Sequence, residues 1–316
     1  MNIGILTSGG DSPGMNPCIA NLVRKGTEAG HRVYAFEGGY LGIYNKKYRQ
    51  MGLADINGLH KLGGTVIKSG RMPELKDKTH ELQNILAELD IGALVVLGGD
   101  GTLRGANALS KPGGVNIIGI PCTIDNNIHG SDYTLGHDTA MNKLVTYIDD
   151  ITDTALSMGR RIFLVETLGG ADGYFAWYSY QMGIADIALI MEQPMKDDEV
   201  VDRINSVFTV KDYAIITVAE YMYGMAKIAE HIEKTTGITP KCNYIGYQQR
   251  GGSPTAADRI HAAAFAGLAI DAIRDSISNK YVAYKDGRYV YLDFTEAEKE
   301  KRFDITNSNF TLTKPE

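Results

Sequence analysis

Short runs of apolar, β-type residues alternate along this chain with longer stretches of helical periodicity. The runs are almost continuously apolar, which is typical of parallel strands covered on both faces. The predicted strands are Asn2–Thr7, Arg32–Phe36, Ala93–Leu97, Val115–Ile120, Arg161–Thr167, Ile187–Met191 and Ala214–Ala219. The predicted helices are Met15–Ala29, His80–Leu89, Thr102–Ser110, Asp138–Thr152, Asp197–Phe208 and Ala226–Thr236. This alternation predicts βαβ units and an α/β fold with two doubly wound, mostly parallel sheets.

The charge balance and the cysteine content indicate which partners and which cellular compartment to expect. Acidic residues outnumber basic ones, 38 to 32, so we expect neither a nucleic acid nor a membrane as the main partner. Stretches without a charged side chain, such as Gly173–Ala185, are shorter than the ~20 apolar residues of a transmembrane helix. The charge run Glu296–Arg302 is predicted to be a solvated helix end. Cys18, Cys122 and Cys242 are too scattered for a disulfide framework, and the first residues lack a secretory pattern, so we expect a cytoplasmic protein.

Glycine is abundant, 36 of 316 residues, and it is concentrated just after predicted strands. Three such segments are Thr7–Asn16 (TSGGDSPGMN), Gly98–Gly105 (GGDGTLRG) and Pro121–Asn127 (PCTIDNN). Ligands of doubly wound sheets bind beyond the carboxyl ends of the strands, and glycine allows a backbone to approach a ligand closely. The three segments therefore predict a ligand site along one edge of the first sheet.

The first two of these segments are suited to phosphate and to a metal ion. Gly9 and Gly10 precede a helix, where backbone N–H groups can bind an anion, although an ordinary strand-to-helix turn has the same sequence pattern. Neither G-x-x-x-x-G-K-[ST] nor a clean G-x-G-x-x-G fingerprint occurs, so a dinucleotide-dependent dehydrogenase is weakly supported. Asp100 can anchor Mg²⁺ beside a phosphate, or it can cap the helix that follows.

Asp125 is the candidate general base. Its neighbours Thr123 and Asn126 are neutral, so no adjacent cation in the sequence occupies the carboxylate. Phosphoryl transfer needs a base for the attacking hydroxyl, a metal ion, and donors around the transferred group. Arg71 can be a cationic donor of this kind, although taken alone it would be interpreted as a solvated surface residue.

Five motifs occur in order along the chain: TSGGDSPGMN, GGYLGIY, GGDGTLRGA, TIDNN and GYQQRGGSP. Together they resemble the phosphofructokinase family in its short bacterial form, from Asn2 to beyond Asp258. The resemblance implies an ATP- and Mg²⁺-dependent transfer of a phosphoryl group to the 1-hydroxyl of fructose 6-phosphate, a step of glycolysis. It also implies two domains: residues 1–136 with about 251–300 for the nucleotide, and 137–250 with about 301–316 for the sugar phosphate.

The resemblance assigns roles residue by residue. The nucleotide would be bound by Gly10, Tyr40, Arg71, Gly101, Thr102 and Gly105. Mg²⁺ would be bound by Asp100, and Asp125 would take the proton from the sugar hydroxyl with Thr123 and Arg71 beside the reacting groups. The sugar phosphate would contact Thr123, Asp125, Asn127, Arg161, Leu168, Gly169, Glu220, Lys241, Tyr247 and Arg250. Arg161 and Lys241 would come from a neighbouring subunit, which implies a homotetramer; a hetero-oligomer with a homologue is the alternative.

Four positions depart from the family pattern. Asn127 replaces an Asp beside the base, and Gly170 replaces an Arg that helps to stabilise the transferring phosphoryl group. Lys241 and Tyr247 replace an Arg and a His of the 6-phosphate pocket; Lys lacks the bidentate fork of Arg, and Tyr cannot carry a positive charge. Three hypotheses stay open: a kinase for fructose 6-phosphate, a kinase for another sugar phosphate, and a catalytically weak regulatory paralogue.

The resemblance also bears on the phosphoryl donor and on effectors. Gly101 leaves room for a nucleotide where pyrophosphate-dependent relatives have Asp or Asn, which favours ATP, whereas Cys122 matches neither group. Three arginines of the family's effector site are replaced, by Ala20, Leu53 and Asp153. Two positively charged residues of that site are kept, Arg24 and Lys211. Because an anionic effector would meet less positive charge, we expect little or no response to ADP or phosphoenolpyruvate.

Overall fold

The computed structural model describes residues 1–110, 113–221 and 224–307. Its strands are β1 (Asn2–Ser8), β2 (Arg32–Phe36), β3 (Tyr48–Met51), β4 (Ile91–Gly98), β5 (Asn116–Pro121), β6 (Arg161–Thr167), β7 (Ile187–Leu189), β8 (Tyr213–Ala219), β9 (Lys241–Tyr244), β10 (Lys280–Lys285) and β11 (Arg288–Asp293). Its α-helices are α1 (Met15–Glu28), α2 (Tyr40–Tyr44), α3 (Thr79–Glu88), α4 (Asp100–Leu109), α5 (His137–Ser157), α6 (Tyr174–Gln181), α7 (Asp197–Val207), α8 (Met225–Thr236), α9 (Ala256–Arg274) and α10 (Phe294–Ala297). Strands and helices alternate through most of the chain, which confirms the predicted α/β class.

The larger sheet has seven strands in the order β11-β10-β5-β4-β1-β2-β3. β1 pairs in parallel with β2 and β4, and β5 pairs in parallel with β4 and β10. The edge strands β3 and β11 are antiparallel to their neighbours. All seven residues of β1 are buried, which explains why residues 3–6 at its centre carry no polar side chain.

Both faces of this sheet are covered by helices. Val95 of β4 belongs to a core that includes Ile19 of α1 and Phe265 of α9. Its neighbours on β4 point the other way, since Leu94 and Val96 belong to a second core with residues of α3 and α4. Alternate residues of one strand therefore enter two separate cores, as a doubly wound sheet requires.

The smaller sheet has four parallel strands in the order β7-β8-β6-β9. Leu164 of β6 and Ile216 of β8 pack in its core with Ile204 of α7 and Ile228 of α8. α6 contributes Ala176 to a further small cluster. The chain therefore contains two mostly parallel sheets, as the sequence predicts.

The chain divides into two compact units, Met1–Thr139 with Arg250–Lys301, and Ala140–Gln249 with the segment from Arg302. α5 spans the first of the three boundaries. The predicted domain limits differ from these by about three residues at most. Arg250, which was predicted to lie in the smaller domain, belongs to the first unit, where it forms an ion pair with Asp11.

The charge run near the end of the chain is the main local departure from prediction. α10 ends at Ala297, so most of Glu296–Arg302 lies beyond the helix instead of forming its solvated end. The reason is an antiparallel bridge between Glu300 and Ile128, which holds the segment against the first unit. None of the helices in the part of the chain described above combines the length and apolar character needed to cross a bilayer.

Candidate active site

The loop after β1 is joined by hydrogen bonds to the segment that precedes Arg71. Gly9 has a φ of +83°, a left-handed conformation that glycine adopts without strain. Its N–H donates to the Gly70 carbonyl at 3.2 Å, and the Ser69 hydroxyl donates to the Gly9 carbonyl at 2.6 Å. Arg71, the next residue after Gly70, is therefore held close to the first glycine-rich loop. Its side chain is exposed and makes no hydrogen bond or ion pair with the residues described, so it is available to an anion.

Arg250 lies directly on this loop. Its Nη2 donates to Asp11 Oδ1 at 2.9 Å, and a methyl group on Gly10 would overlap the Arg250 guanidinium. Gly10 was predicted to bind nucleotide and Arg250 to bind the sugar phosphate, and the structure places the two in contact. Asp11, which was not singled out in the sequence, is the acidic partner that holds Arg250 there.

The second loop is fixed to the first by Thr102. Its hydroxyl donates to the Ser8 carbonyl at 3.0 Å, and its own carbonyl accepts from the Tyr40 hydroxyl at 2.8 Å. Tyr40 is only 2% exposed, and burial raises its pKa, so the phenol stays neutral. Gly105 packs against the Tyr40 ring and Leu75, where a methyl group would overlap the leucine side chain. The contacts of Tyr40, Thr102 and Gly105 thus fix the position of the second glycine-rich segment.

Asp100 occupies the first turn of α4. The N-cap is Gly99, so the alternative in which Asp100 caps the helix is wrong. A carboxylate in the first turn still interacts favourably with the positive end of the helix. Asp100 Oδ2 accepts from Arg104 Nη2 at 2.5 Å, an i,i+4 pair in which both side chains remain partly exposed. Beside it, Gly101 faces open space, since a methyl group there would have no neighbour within 4 Å.

The second and third loops meet at the ends of β4 and β5. Gly98 is in register with Pro121, and the Cys122 N–H donates to the Gly98 carbonyl at 2.9 Å. A methyl group on Gly99 would lie 3.6 Å from Thr123 Cβ. Cys122 itself is buried, and burial raises the pKa of its thiol well above the ordinary value, so the side chain acts as a small apolar group.

Asp125 lies on a loop that is held by its own side chains. The Asp125 N–H donates to Thr123 Oγ1 at 3.2 Å, and the Thr123 hydroxyl lies 3.3 Å from Asp125 Oδ2. The Thr134 hydroxyl donates to the Thr123 carbonyl at 2.7 Å. Asn126 has a φ of +49°, which turns the chain sharply after the aspartate. Asp125 and Asn127 are both half-buried, so the carboxylate is reachable from solvent.

In the second unit, Glu220 holds the loop after β6. Its Oε1 accepts from the Gly169 N–H at 3.0 Å and from the Gly170 N–H at 2.7 Å. Leu168 is held by Gln249, whose side-chain oxygen accepts from the Leu168 N–H at 2.9 Å. Burial, reinforced by the charge of Glu220, raises the pKa of the neighbouring Glu166. Leu168, Gly169 and Glu220 are thus brought together.

Arg161 and Lys241 are not brought to this loop within the unit. Arg161 begins β6, and Lys241 begins β9 opposite Phe163. Leu168 follows the other end of β6, a strand of seven residues that spans about 20 Å. Tyr247 is 84% exposed and lies in a short 3₁₀ turn. The side chains predicted for the 6-phosphate pocket are therefore divided between two ends of the sheet and the first unit.

Comparison with known proteins places this architecture in a family. A family model described as phosphofructokinase matches residues 2–273. The chain belongs to the phosphofructokinase family. A curated phosphofructokinase of Listeria monocytogenes, named ATP-dependent 6-phosphofructokinase, is 38% identical over 302 residues, which cover 95% of this chain and 94% of the relative. The ATP-dependent 6-phosphofructokinase 1 of Clostridium perfringens is 36% identical over 306 residues, covering 96% and 95%.

Solved phosphofructokinases share the fold. The chain superimposes on the T-state structure from Pichia pastoris with a TM-score of 0.85 and 27% identity, covering 94% of this chain and 37% of that one. A pyrophosphate-dependent phosphofructokinase from Marinobacter aquaeolei superimposes with a TM-score of 0.86 at 20% identity, covering 96% and 86%. The latter likeness concerns the fold alone.

Three residues that contact the predicted site were not singled out in the sequence. Arg104 could have been found, because i,i+4 spacing from Asp100 on a helix brings the two charges together. Asp11 and Gln249 could not, since their partners Arg250 and Leu168 are distant in sequence. Gln249 is completely buried, and its amide is satisfied by the Leu168 peptide group, to which it also donates at 3.4 Å.

Proposed function

We propose that this protein is an ATP-dependent 6-phosphofructokinase that transfers the γ-phosphoryl group of ATP to the 1-hydroxyl of fructose 6-phosphate. The observation that supports this best is the contact between the loop of Asp100 and the loop of Asp125 at the ends of paired strands β4 and β5. Phosphoryl transfer requires a carboxylate that binds the metal ion and a base that accepts the proton of the attacking hydroxyl. The names of the relatives favour this activity over a different sugar phosphate, a regulatory paralogue or a dehydrogenase.

Asp125 is the proposed general base. It takes the proton of the attacking hydroxyl while Thr123, hydrogen-bonded to the same loop, fixes the direction of the carboxylate. A positioned base of this kind contributes about 10²- to 10⁴-fold to a rate. Asn127, where the family has Asp, lowers the negative charge beside the base. The exposed guanidinium of Arg71 stabilises the charge of the transferring phosphoryl group.

Asp100 is the proposed anchor for Mg²⁺. Within residues 1–110, 113–221 and 224–307, no group of three His, Cys, Asp or Glu side chains could hold a metal by itself. Mg²⁺ fits this setting because it needs only one or two carboxylates when phosphate oxygens and water supply the other ligands. When bound, the ion neutralises charge on the phosphates. Arg104, now paired with Asp100, would then turn toward solvent or phosphate.

The nucleotide is assigned to the first unit. Gly10 and Gly101 bring backbone close to it, and the open space at Gly101 fits a nucleotide, which supports ATP over pyrophosphate as the donor. Tyr40, Thr102 and Gly105 hold the backbone around Gly101 in place. The sugar is assigned to Leu168, Gly169 and Glu220 of the second unit. Free thiols at Cys18, Cys122 and Cys242 suit the reducing cytoplasm, where we place the reaction.

The 6-phosphate is assigned to Arg250 and Tyr247 together with Arg161 and Lys241 of a neighbouring subunit. Arg161 is separated from Glu220 by the length of β6, and Lys241, which is paired with Phe163, is separated from it by a shorter part of that strand. This separation supports a shared site. A shared site makes a homo-oligomer necessary for activity, and we propose a homotetramer.

The proposal is tested by assaying purified protein with Mg²⁺ and either ATP or pyrophosphate against fructose 6-phosphate. We expect turnover with ATP, and a fall in kcat of about 10²- to 10⁴-fold in Asp125→Asn with little change in the KM for ATP. Asp149→Asn, the same change at an exposed position of α5, is the matched control. Turnover with pyrophosphate alone, or only with another sugar phosphate, would show that the assignment is wrong.

A further inference from the structure

The carbonyl groups that flank the turn after Asp125 are bound by an ammonium group from the far end of the chain. Lys301 Nζ donates to the Asn126 carbonyl at 2.7 Å and to the Ser131 carbonyl at 2.7 Å. The two acceptors lie on either side of the segment Asn127–Gly130. An ammonium group has three donors that can point in different directions, so one Lys can join two carbonyls of this kind.

Neighbouring contacts fix the same segment. Ile128 forms an antiparallel bridge with Glu300, the residue before Lys301. Ser131 is 1% exposed, and its hydroxyl donates to the Tyr133 carbonyl at 2.7 Å while accepting from the Tyr284 N–H at 3.1 Å. One of the two acceptors of Lys301 is therefore held rigidly. The other, Asn126, has the left-handed φ of +49° that a non-glycine residue keeps only when its surroundings enforce it.

We infer that Lys301 is a positioning residue for the base, which it holds in place through the backbone of Asn126. The inference rests on the proposed role of Asp125. Lys301 pulls the carbonyl of the residue after Asp125 toward a rigid point in the first unit, so the carboxylate keeps its direction while substrate binds. Loss of the ammonium group would free the turn and let the carboxylate move, and a misplacement of ~1 Å can cost about 100-fold in rate.

The sequence offers a matched control two residues away. Lys299 Nζ pairs with Glu296 Oε1 at 2.7 Å, and its side chain is 57% exposed. Lys299→Met removes the same charge from the same segment without touching the Asn126 turn. Lys301→Met keeps the length of the side chain and removes its donors. Lys301→Arg keeps the charge, but its planar fork matches two separated carbonyls less well.

Two measurements test the inference, and one of them does not depend on activity. The first is amide hydrogen exchange of peptides that cover residues 122–136. We expect faster exchange there in Lys301→Met, intermediate exchange in Lys301→Arg, and wild-type exchange in Lys299→Met. The second is steady-state kinetics with ATP and fructose 6-phosphate. We expect kcat to fall about 10- to 100-fold in Lys301→Met, with the KM for ATP little changed, and to recover partly in Lys301→Arg.

The outcomes separate this inference from the proposed function. Unchanged exchange in Lys301→Met, or equal changes in Lys299→Met, would overturn the role of Lys301 whatever the activity. Should the wild type lack activity with fructose 6-phosphate, the proposed function fails, and the exchange experiment still decides whether Lys301 holds the turn. If Lys301→Met does not fold, Lys301→Arg decides, with faster exchange at 122–136 supporting the inference and wild-type exchange and kcat overturning it.

Discussion

Gly98 ends β4 and Gly101 lies three residues later in the first turn of α4, and only at Gly98 do the surrounding atoms exclude a side chain. A methyl group on Gly98 would overlap the Ser8 carbonyl and the Thr102 hydroxyl, both of which belong to the joint between the first two loops. A methyl group on Gly101 would have no neighbour within 4 Å. Gly98 is needed by the fold, whereas Gly101 leaves space for a ligand.

We therefore expect opposite effects from the same substitution at these two residues. Gly98→Ala should destabilise the protein by about 1–3 kcal/mol, because a backbone carbonyl cannot move aside. Gly101→Ala should leave stability unchanged or raise it by about 0.4–1 kcal/mol, while raising the KM for ATP. Urea unfolding and ATP titration of both variants make the comparison. An ATP KM that is unaffected by Gly101→Ala would argue against nucleotide in this space.

Single residues were predictable where a short motif fixed their setting. Asp100, Gly101 and Asp125 lie in motifs that come directly after a strand, and the position of each strand follows from the apolar pattern. The ion pair of Asp11 with Arg250 was not predictable, because it joins residues far apart in the chain. The ammonium group of Lys301 was equally hidden, since a run of charges on its own indicates only exposure to solvent.

Several elements escaped the sequence patterns for a physical reason. α9 is rich in alanine and buried along much of its length, so its sequence lacks the polar stripe of a surface helix. β3 is a short edge strand, and β9 has four residues, too few to show a period. β1, β4 and β6 were predictable because the centre of a strand that is buried on both faces is an unbroken apolar run.

His137, the first residue of α5, is expected to make the free energy of unfolding depend on pH. Burial lowers the pKa of His137 to about 4; Lys301 and His261 act in the same direction, and Asp138 opposes them. In the unfolded chain the same imidazole takes up a proton below about pH 6.5. The unfolded state therefore binds more protons between about pH 6.5 and 4, and stability falls as the pH falls through this window.

At pH 5 this single group should cost about 2 kcal/mol of stability relative to pH 7. His137→Gln should remove that part of the loss, and His80→Gln, at an exposed position of α3, should not. Urea unfolding at the two pH values measures both. An identical loss in His137→Gln and in wild type would contradict the assignment.

Lys211, which lies just before β8 in the second unit, is relevant to regulation by effectors. Lys211 is one of the two cations that the sequence resemblance assigns to the family's effector site. Its Nζ pairs with Asp186 Oδ1 at 2.8 Å and lies 4.0 Å from the centre of the Tyr213 ring. Asp186 also accepts from the Ile215 N–H at 2.8 Å, so it is well held. The positive charge of Lys211 is thus balanced within its own unit.

We expect ADP and phosphoenolpyruvate to change the rate very little. Arg24, the other cation, is exposed and bonded to Asn21, while Ala20 is buried and Asp153 adds negative charge. Rates measured at a subsaturating sugar phosphate concentration, with each effector varied, provide the test. A severalfold effect at sub-millimolar concentration would show that these replacements do not abolish regulation.

At the scale of the whole molecule, the proposed sharing of the active site between subunits predicts how mixtures of two inactive variants behave. Arg161→Ala and Asp125→Ala should each be nearly inactive as pure proteins. When the two are mixed, dissociated and reassembled, about one quarter of the sites combine an intact Asp125 with an intact Arg161 from the neighbour. Recovery of about that fraction of activity is expected, and no recovery in a reassembled mixture would mean that each chain uses its own Arg161.

The first unit is built from two distant parts of the chain. Ile118 of β5 pairs with Lys280 of β10, and about 160 residues, including the whole of Ala140–Gln249, lie between them. Ribosomes add about 5–20 residues per second, so roughly 8–30 s separate the synthesis of these two strands. During that time β5 is an uncovered apolar edge, and the turn after Asp125 has no Lys301 to hold it. A nascent chain of this protein therefore carries an unpaired apolar strand edge, a feature that favours aggregation, until β10 has been synthesised, and the turn after Asp125 is bound by an ammonium group only once Lys301 has followed.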